Sequence, residues 1–230
     1  MDQPKVVLSL MFFTMAFGFH LATALFYIAH WVFKKKWIGQ ASTALACVSL
    51  FSTSMILVFR AAESGHAPFS NLYESMVLFI WALTLAYLIM EYKYKLRVMG
   101  AFVMSIAFIS ILSAWLLPFR FKSIEQLNPA LQNKWDFMVS ALTPLGLEKY
   151  ALGWLDFHVF TTFIGYAAFA IAFGLSIMYL IKVRFEERGR SNVLIDRFPE
   201  AKILDEICYQ AIAWGFPFLG IGIVSGAVWA

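Results

Sequence analysis

The chain has 230 residues and a formal net charge of +4; 61% of them are hydrophobic and 14% charged, with a mean hydropathy of +0.74. A soluble domain averages about half apolar and about a quarter charged, so this balance excludes the soluble globular classes. The positive charge is too small and too scattered for a nucleic-acid surface, and no nucleic-acid partner is expected.

Six apolar stretches reach the roughly 20 residues that a bilayer-crossing helix needs. They predict an all-α fold, a polytopic membrane protein of about six transmembrane helices in a single domain, 1–230. The first stretch covers about 6–33. It outlasts the apolar core of a cleavable signal and lacks a small-residue cleavage site, so it reads as a retained helix. It carries His20 near mid-depth and His30 near its end, with Lys34, Lys35 and Lys36 directly after. The second covers about 38–59 and closes on Arg60. A polar stretch holding Glu63, His66 and Glu74 leads into a third span that ends near Met90, and Glu91 to Arg97 reads as a tight turn. A fourth span covers about 98–118, and a long polar loop, 120–156, follows it. The fifth covers about 157–181, Lys182 to Lys202 is a charged connection, and the sixth covers about 203–230. The two cysteines, Cys47 and Cys208, lie in different apolar segments with no Cys-x-x-Cys-His and no zinc spacing. They read as small buried apolar residues.

Basic residues gather in alternate connections: Lys34 to Lys36, then Lys93, Lys95 and Arg97, then Lys182, Arg184, Arg188 and Arg190. The positive-inside rule makes these three cytoplasmic. Both termini, the His66 turn and the 120–156 loop are then extracytoplasmic, which puts His66 and His158 on one side.

His158 sits about one turn into the fifth span, at its outer boundary. Asp156 is the expected N-cap, and the positive helix end favours the neutral imidazole that can ligate a metal. Thr161, Thr162 and Gly165 follow at +3, +4 and +7, so the face below the ring is small. Either a flat ligand or a neighbouring helix fits such a face. An interfacial histidine bonded to water or a lipid headgroup fits the same spacing. His66 stands in a turn punctuated by Gly65 and Pro68, with Ser70 or Asn71 capping the next helix and Glu74 in its first turn. Both a well-capped re-entry into the membrane and a role at a site fit it. His20, ionisable at mid-membrane, is a functional candidate by default, but satisfaction against a neighbouring helix carbonyl is the expectation. His30 is expected at the interface.

These residues carry a resemblance. The run from Ser64 to Ser75, Ser-Gly-His-Ala-Pro-Phe-Ser-Asn-Leu-Tyr-Glu-Ser, resembles the signature of the CcsA/ResC family of the two-component (system II) cytochrome c maturation machinery. His158, followed by Ile164, Gly165, Tyr166, Ala167, Ala168 and Phe169, resembles that family's first periplasmic haem-ligand segment. Leu204-Asp205-Glu206 through Gly215-Phe216-Pro217, and then Gly220 to Ala230, resemble the helix leading into its Trp-rich haem-binding segment. The likeness runs from about Arg60 onward. The family's Trp-rich segment and later histidines do not occur in this sequence, and Leu142 to Gly146 looks like an insertion. The chain is therefore expected to be the N-terminal part of a CcsA-like protein.

The resemblance implies haem delivery and presentation at the outer face, for covalent attachment to apocytochrome c. The protein would be a subunit of a cytochrome c synthetase (haem lyase) complex in the bacterial cytoplasmic membrane, inactive by itself. Haem b is the implied cofactor, with His158 as an axial ligand of its iron and His66 as a further candidate. A ResB-like membrane subunit, apocytochrome c and the lipid bilayer are the implied partners. Two other classes compete. A transporter or channel subunit needs ionisable pairs within the bundle or interrupted helices, and mid-span charges are absent. An intramembrane b-type haem protein built on His20 needs a second histidine at comparable depth, and the sequence offers none.

Overall fold

The structure, a computed structural model, describes residues 3–64, 67–69, 71–118 and 154–229. Six long helices make up most of these residues: α1 (Gln3–Phe33), α2 (Lys36–Ser64), α3 (Leu72–Tyr94), α4 (Gly100–Leu116), α5 (Trp154–Glu187) and α6 (Ala201–Trp229). A short 3-10 turn, Arg97–Met99, joins α3 to α4. All six helices are long and apolar enough to cross a membrane, and no strand occurs among the described residues. The all-α membrane fold expected from the sequence is the one observed.

In lipid every backbone polar group must be satisfied inside its own segment, which selects helices. Their outer faces stay apolar for the same reason: Leu25, Phe51, Ile109, Phe173 and Val224 are all exposed. Association then depends on close packing and shared hydroxyls rather than on a gradient of hydrophobicity. α2 shows this. It buries Ser42, Ala46, Ser49 and Thr53 along one stripe, and Ser49 meets Thr23 of α1 at 3.1 Å. Its serines also return hydrogen bonds to carbonyls four residues back, as Ser42 does to Ile38 at 2.8 Å, so none is orphaned in a dry interface. Tyr27, Leu83, Tyr87, Met104, Leu175 and Ile207 belong to the main apolar cluster, which draws on all six helices, α2 through Ala46. The connection before α6 is tied back to α1: Trp31 Nε1 donates to the Leu194 carbonyl at 2.9 Å, and the Arg197 guanidinium donates to the Trp31 and Val32 carbonyls.

Several boundaries differ from the sequence expectation. α3 runs on to Tyr94, so Glu91 is helical and buried rather than part of a turn. α2 continues past Arg60 to Ser64, because the guanidinium is neutralised inside the protein by Glu74. α5 starts at Trp154, which puts Asp156 inside the first turn, buried, and not at the N-cap. Its acidic group still lies at the positive end of the helix dipole. Cys47 is exposed on α2 rather than buried, and Cys208 is half-buried with its thiol 3.2 Å from the Ser176 hydroxyl. Of the expected 120–156 loop, only 154–156 is described, and it is helical.

Candidate functional site

His158 is the fifth residue of α5, and its ring faces α6. Its Nδ1 lies 2.6 Å from the Gly222 carbonyl oxygen and 3.5 Å from the Ser225 hydroxyl. That hydroxyl donates to the same carbonyl at 2.9 Å. A carbonyl only accepts, so Nδ1 carries the proton, and the lone pair of the neutral ring is on Nε2. Nε2 has no hydrogen-bond partner among the described residues, and the ring is half-buried. A backbone carbonyl on one ring nitrogen, fixing tautomer and orientation, is the usual outer contact of a metal-ligating histidine.

Glycines make this geometry available. A Cβ on residue 226 would stand 2.6 Å from His158 Cε1, and one on residue 222 would stand 2.3 Å from Thr162 Oγ1. On the α5 side, a Cβ on residue 165 would meet the Leu219 backbone nitrogen at 2.9 Å. The small face below His158 therefore takes a neighbouring helix, and the alternative of a flat ligand on Thr162 and Gly165 is closed. Thr161 and Thr162 hydroxyls turn back to the carbonyls of Phe157 and His158, at 2.8 and 2.7 Å. Pro217 lies inside α6 without ending it.

The other histidines lie elsewhere. His20 is fully buried in α1, with Nδ1 2.8 Å from the Ala16 carbonyl of its own helix and Nε2 3.3 Å from the Thr84 hydroxyl of α3. The expected carbonyl partner exists, but it belongs to the same helix and not to a neighbour. His30 is half-buried at the opposite end, its Nδ1 3.1 Å from the Lys35 carbonyl. His66 lies outside the described residues. The helix that follows it is capped by Asn71, whose side chain accepts from the Glu74 amide at 2.9 Å. Among the described residues no group of three or more histidines, cysteines, aspartates or glutamates is placed to hold a metal ion. Among the described residues, the donor at the His158 end fits one axial imidazole of a haem iron, and no second histidine is placed beside it.

Two buried ionic groups escaped the sequence reading. Near the His158 end, Arg60 Nε donates to Glu74 Oε1 at 2.8 Å, with the guanidinium 4.9 Å from the Tyr73 ring centre. At the other end, Glu91 gathers hydroxyls from Tyr27, Tyr87 and Thr43 and the Nε of Arg97. A signal for Glu91 was present, because it extends the buried stripe Val77, Ile80, Thr84 and Tyr87 by one more helical step. Both groups sit at helix ends and are closed by their own partners, so neither forms the free ionisable pair a transport path requires.

A family model described as "Cytochrome C assembly protein" matches residues 148–230, a range that contains all of α5 and α6. Relatives named "Cytochrome c biogenesis protein CcsA" extend the match. That of Guillardia theta is 33% identical over 226 residues, covering 88% of this chain and 68% of the relative. That of Prochlorococcus marinus (strain AS9601) is 29% identical over 219 residues, covering 86% and 64%. That of Chlamydomonas reinhardtii is 35% identical over 180 residues, covering 76% and 44%. This chain spans about two thirds of the length of the first two relatives. The coverage also reaches back beyond Arg60, where the sequence likeness was expected to begin.

Proposed function

The chain belongs to the CcsA family of cytochrome c biogenesis proteins, and from that premise we propose that it presents haem at the His158 end of the bundle for attachment to an apocytochrome c. The observation that supports this reading is the Nδ1 bond from His158 to the Gly222 carbonyl, which leaves Nε2 as a lone pair at the helix boundary. When bound, the haem supplies the iron that an imidazole can ligate and the vinyl groups to which cysteine thiols add.

The chain's own part is positional. Gly222 and Ser225 fix the plane and tautomer of His158, Gly226 gives the ring its room, and the half-buried location keeps Nε2 reachable from the membrane boundary. A complete haem site also needs a second axial imidazole and a flat aromatic platform, and a ResB-like subunit is the proposed partner in the assembled complex. His66 serves assembly or haem transfer and is not an axial ligand in this reading. The basic connections support an orientation with the His158 end and both termini outside, and a bacterial cytoplasmic membrane is the proposed location.

The test is His158→Gly in the assembled cytochrome c synthesis complex. The bis-imidazole spectrum weakens or disappears, cytochrome c maturation falls, and free imidazole restores part of both. Rescue by a small ligand separates ligation from folding, since imidazole fills a coordination site but does not repair a helix. An unchanged bis-histidine spectrum in the variant overturns the assignment.

A further inference from the structure

We propose that the opposite end of the bundle, cytoplasmic in the orientation above, holds a site for the phosphate of an anionic phospholipid, built on Arg97 and Lys95. A cavity of about 160 Å³ opens there, lined by Thr43, Leu88, Glu91, Tyr92, Lys95 and Arg97. Its floor is the Glu91 carboxylate, 4% exposed. Oε2 accepts from the hydroxyls of Tyr27 at 2.5 Å and Tyr87 at 2.7 Å. Oε1 accepts from the Thr43 hydroxyl at 2.5 Å and from Arg97 Nε at 3.2 Å. Both oxygens are thus satisfied, by donors from α1, α2, α3 and the turn after α3.

What this network leaves unused is the outer edge of Arg97. Only its Nε is engaged, to Glu91 and, at 3.1 Å, to the Thr43 hydroxyl. The two terminal nitrogens have no hydrogen-bond partner among the described residues, and the side chain is 37% exposed. Its stem is held in place by Gly39, where a Cβ would stand 3.0 Å from Arg97 Cδ. The backbone assists as well: Lys95 ends α3 in the left-handed region (φ 59°), and the chain turns so that Arg97 reaches back to Glu91. Lys95 Nζ lies 3.9 Å over the Tyr92 ring and pairs with no carboxylate among the described residues. Glu91 offsets Arg97, so Lys95 is the uncompensated charge of the cavity and the guanidinium edge is its fixed donor. A planar guanidinium edge matches two phosphate oxygens. Basic pockets between membrane helices on the cytoplasmic side bind anionic headgroups. Exposed Trp37 and Tyr92 mark this level as the aromatic belt, the depth at which a lipid phosphate lies.

The inference takes its sidedness from the orientation proposed above, but the assay reads lipid binding in detergent, whatever the His158 end does. The full chain is purified and offered phosphatidylglycerol or phosphatidylcholine of matched acyl chains, and occupancy is read by native mass spectrometry. Wild type retains phosphatidylglycerol under activation that strips phosphatidylcholine. Arg97→Gln and Lys95→Gln each lower that occupancy about fivefold, the value of one cation at a membrane surface. Arg97→Lys, which keeps the charge and loses the planar edge, falls between. Lys95→Gln alters a side chain whose described contact is the Tyr92 ring, so it keeps the test valid if Arg97→Gln fails to fold. Equal retention of the two lipids, or unchanged phosphatidylglycerol in Lys95→Gln, overturns the proposal. Displacement of the lipid by millimolar inorganic phosphate assigns the site to a soluble anion and overturns it too.

Discussion

His20 and His158 make the same first contact and differ in the second. Each places Nδ1 against a helix carbonyl, Ala16 at 2.8 Å and Gly222 at 2.6 Å, and each ring is thereby set in one tautomer. His20 then meets the Thr84 hydroxyl with Nε2 and is wholly buried, whereas Nε2 of His158 meets no described partner at a half-buried helix mouth. A histidine inside a membrane bundle is thus structural or available according to what its second nitrogen finds. Depth alone favours His20, since an ionisable residue at mid-membrane is the default functional candidate, whereas the second ring nitrogen favours His158.

The largest blow to this contrast comes from Gly222→Leu. Its Cβ would lie 2.3 Å from Thr162 Oγ1 and 3.2 Å from the Thr162 Cα, so backbone must move and α5 and α6 separate. Thermal unfolding in detergent should show a loss of about 3 kcal/mol, with haem capture lost in the assembled complex. Gly226→Ala sharpens the contrast, because the three atoms nearest the added methyl all belong to the ring of His158, the first at 2.6 Å. The ring can swing aside, so stability falls by about 1 kcal/mol while haem occupancy drops severalfold. Retained occupancy would show that the ring's position does not matter.

Thr84→Val gives His20 the unpaired Nε2 that His158 has. It should cost about 1 kcal/mol, because a buried acceptor loses its donor, and yet recruit no haem to mid-membrane. A new bis-imidazole band in that variant would break the comparison. The smallest effect is expected of His20→Leu. The Thr84 hydroxyl, released from Nε2, then donates its one proton to the Ile80 carbonyl, 2.8 Å away, and an apolar side chain takes the ring's place. Replacing a polar pair member by a similar apolar shape is close to neutral when its partner stays satisfied. The haem spectrum should be unchanged, and its loss would move the site from His158 to His20.

The sequence carried the six spans, their alternation and the placing of His158 at a helix mouth. A bilayer imposes a minimum apolar length and concentrates charge in the connections, so these features are written in one dimension. It also narrowed the face below His158 to small residues but left its occupant open. The structure closed that question with α6, whose Gly222 and Gly226 lie 64 and 68 positions away from His158. Periodicity tells which residues of a helix share a face; it does not tell which helix that face meets. The same distance in sequence hid the Glu91 network, for Tyr27 is 64 positions from the carboxylate and Thr43 is 48. Glu91 and Arg60 read as the edges of membrane spans because charge is expected in water. Burial became affordable only when other helices brought hydroxyls and a counter-charge to them, which is a property of the packed bundle and of no single segment.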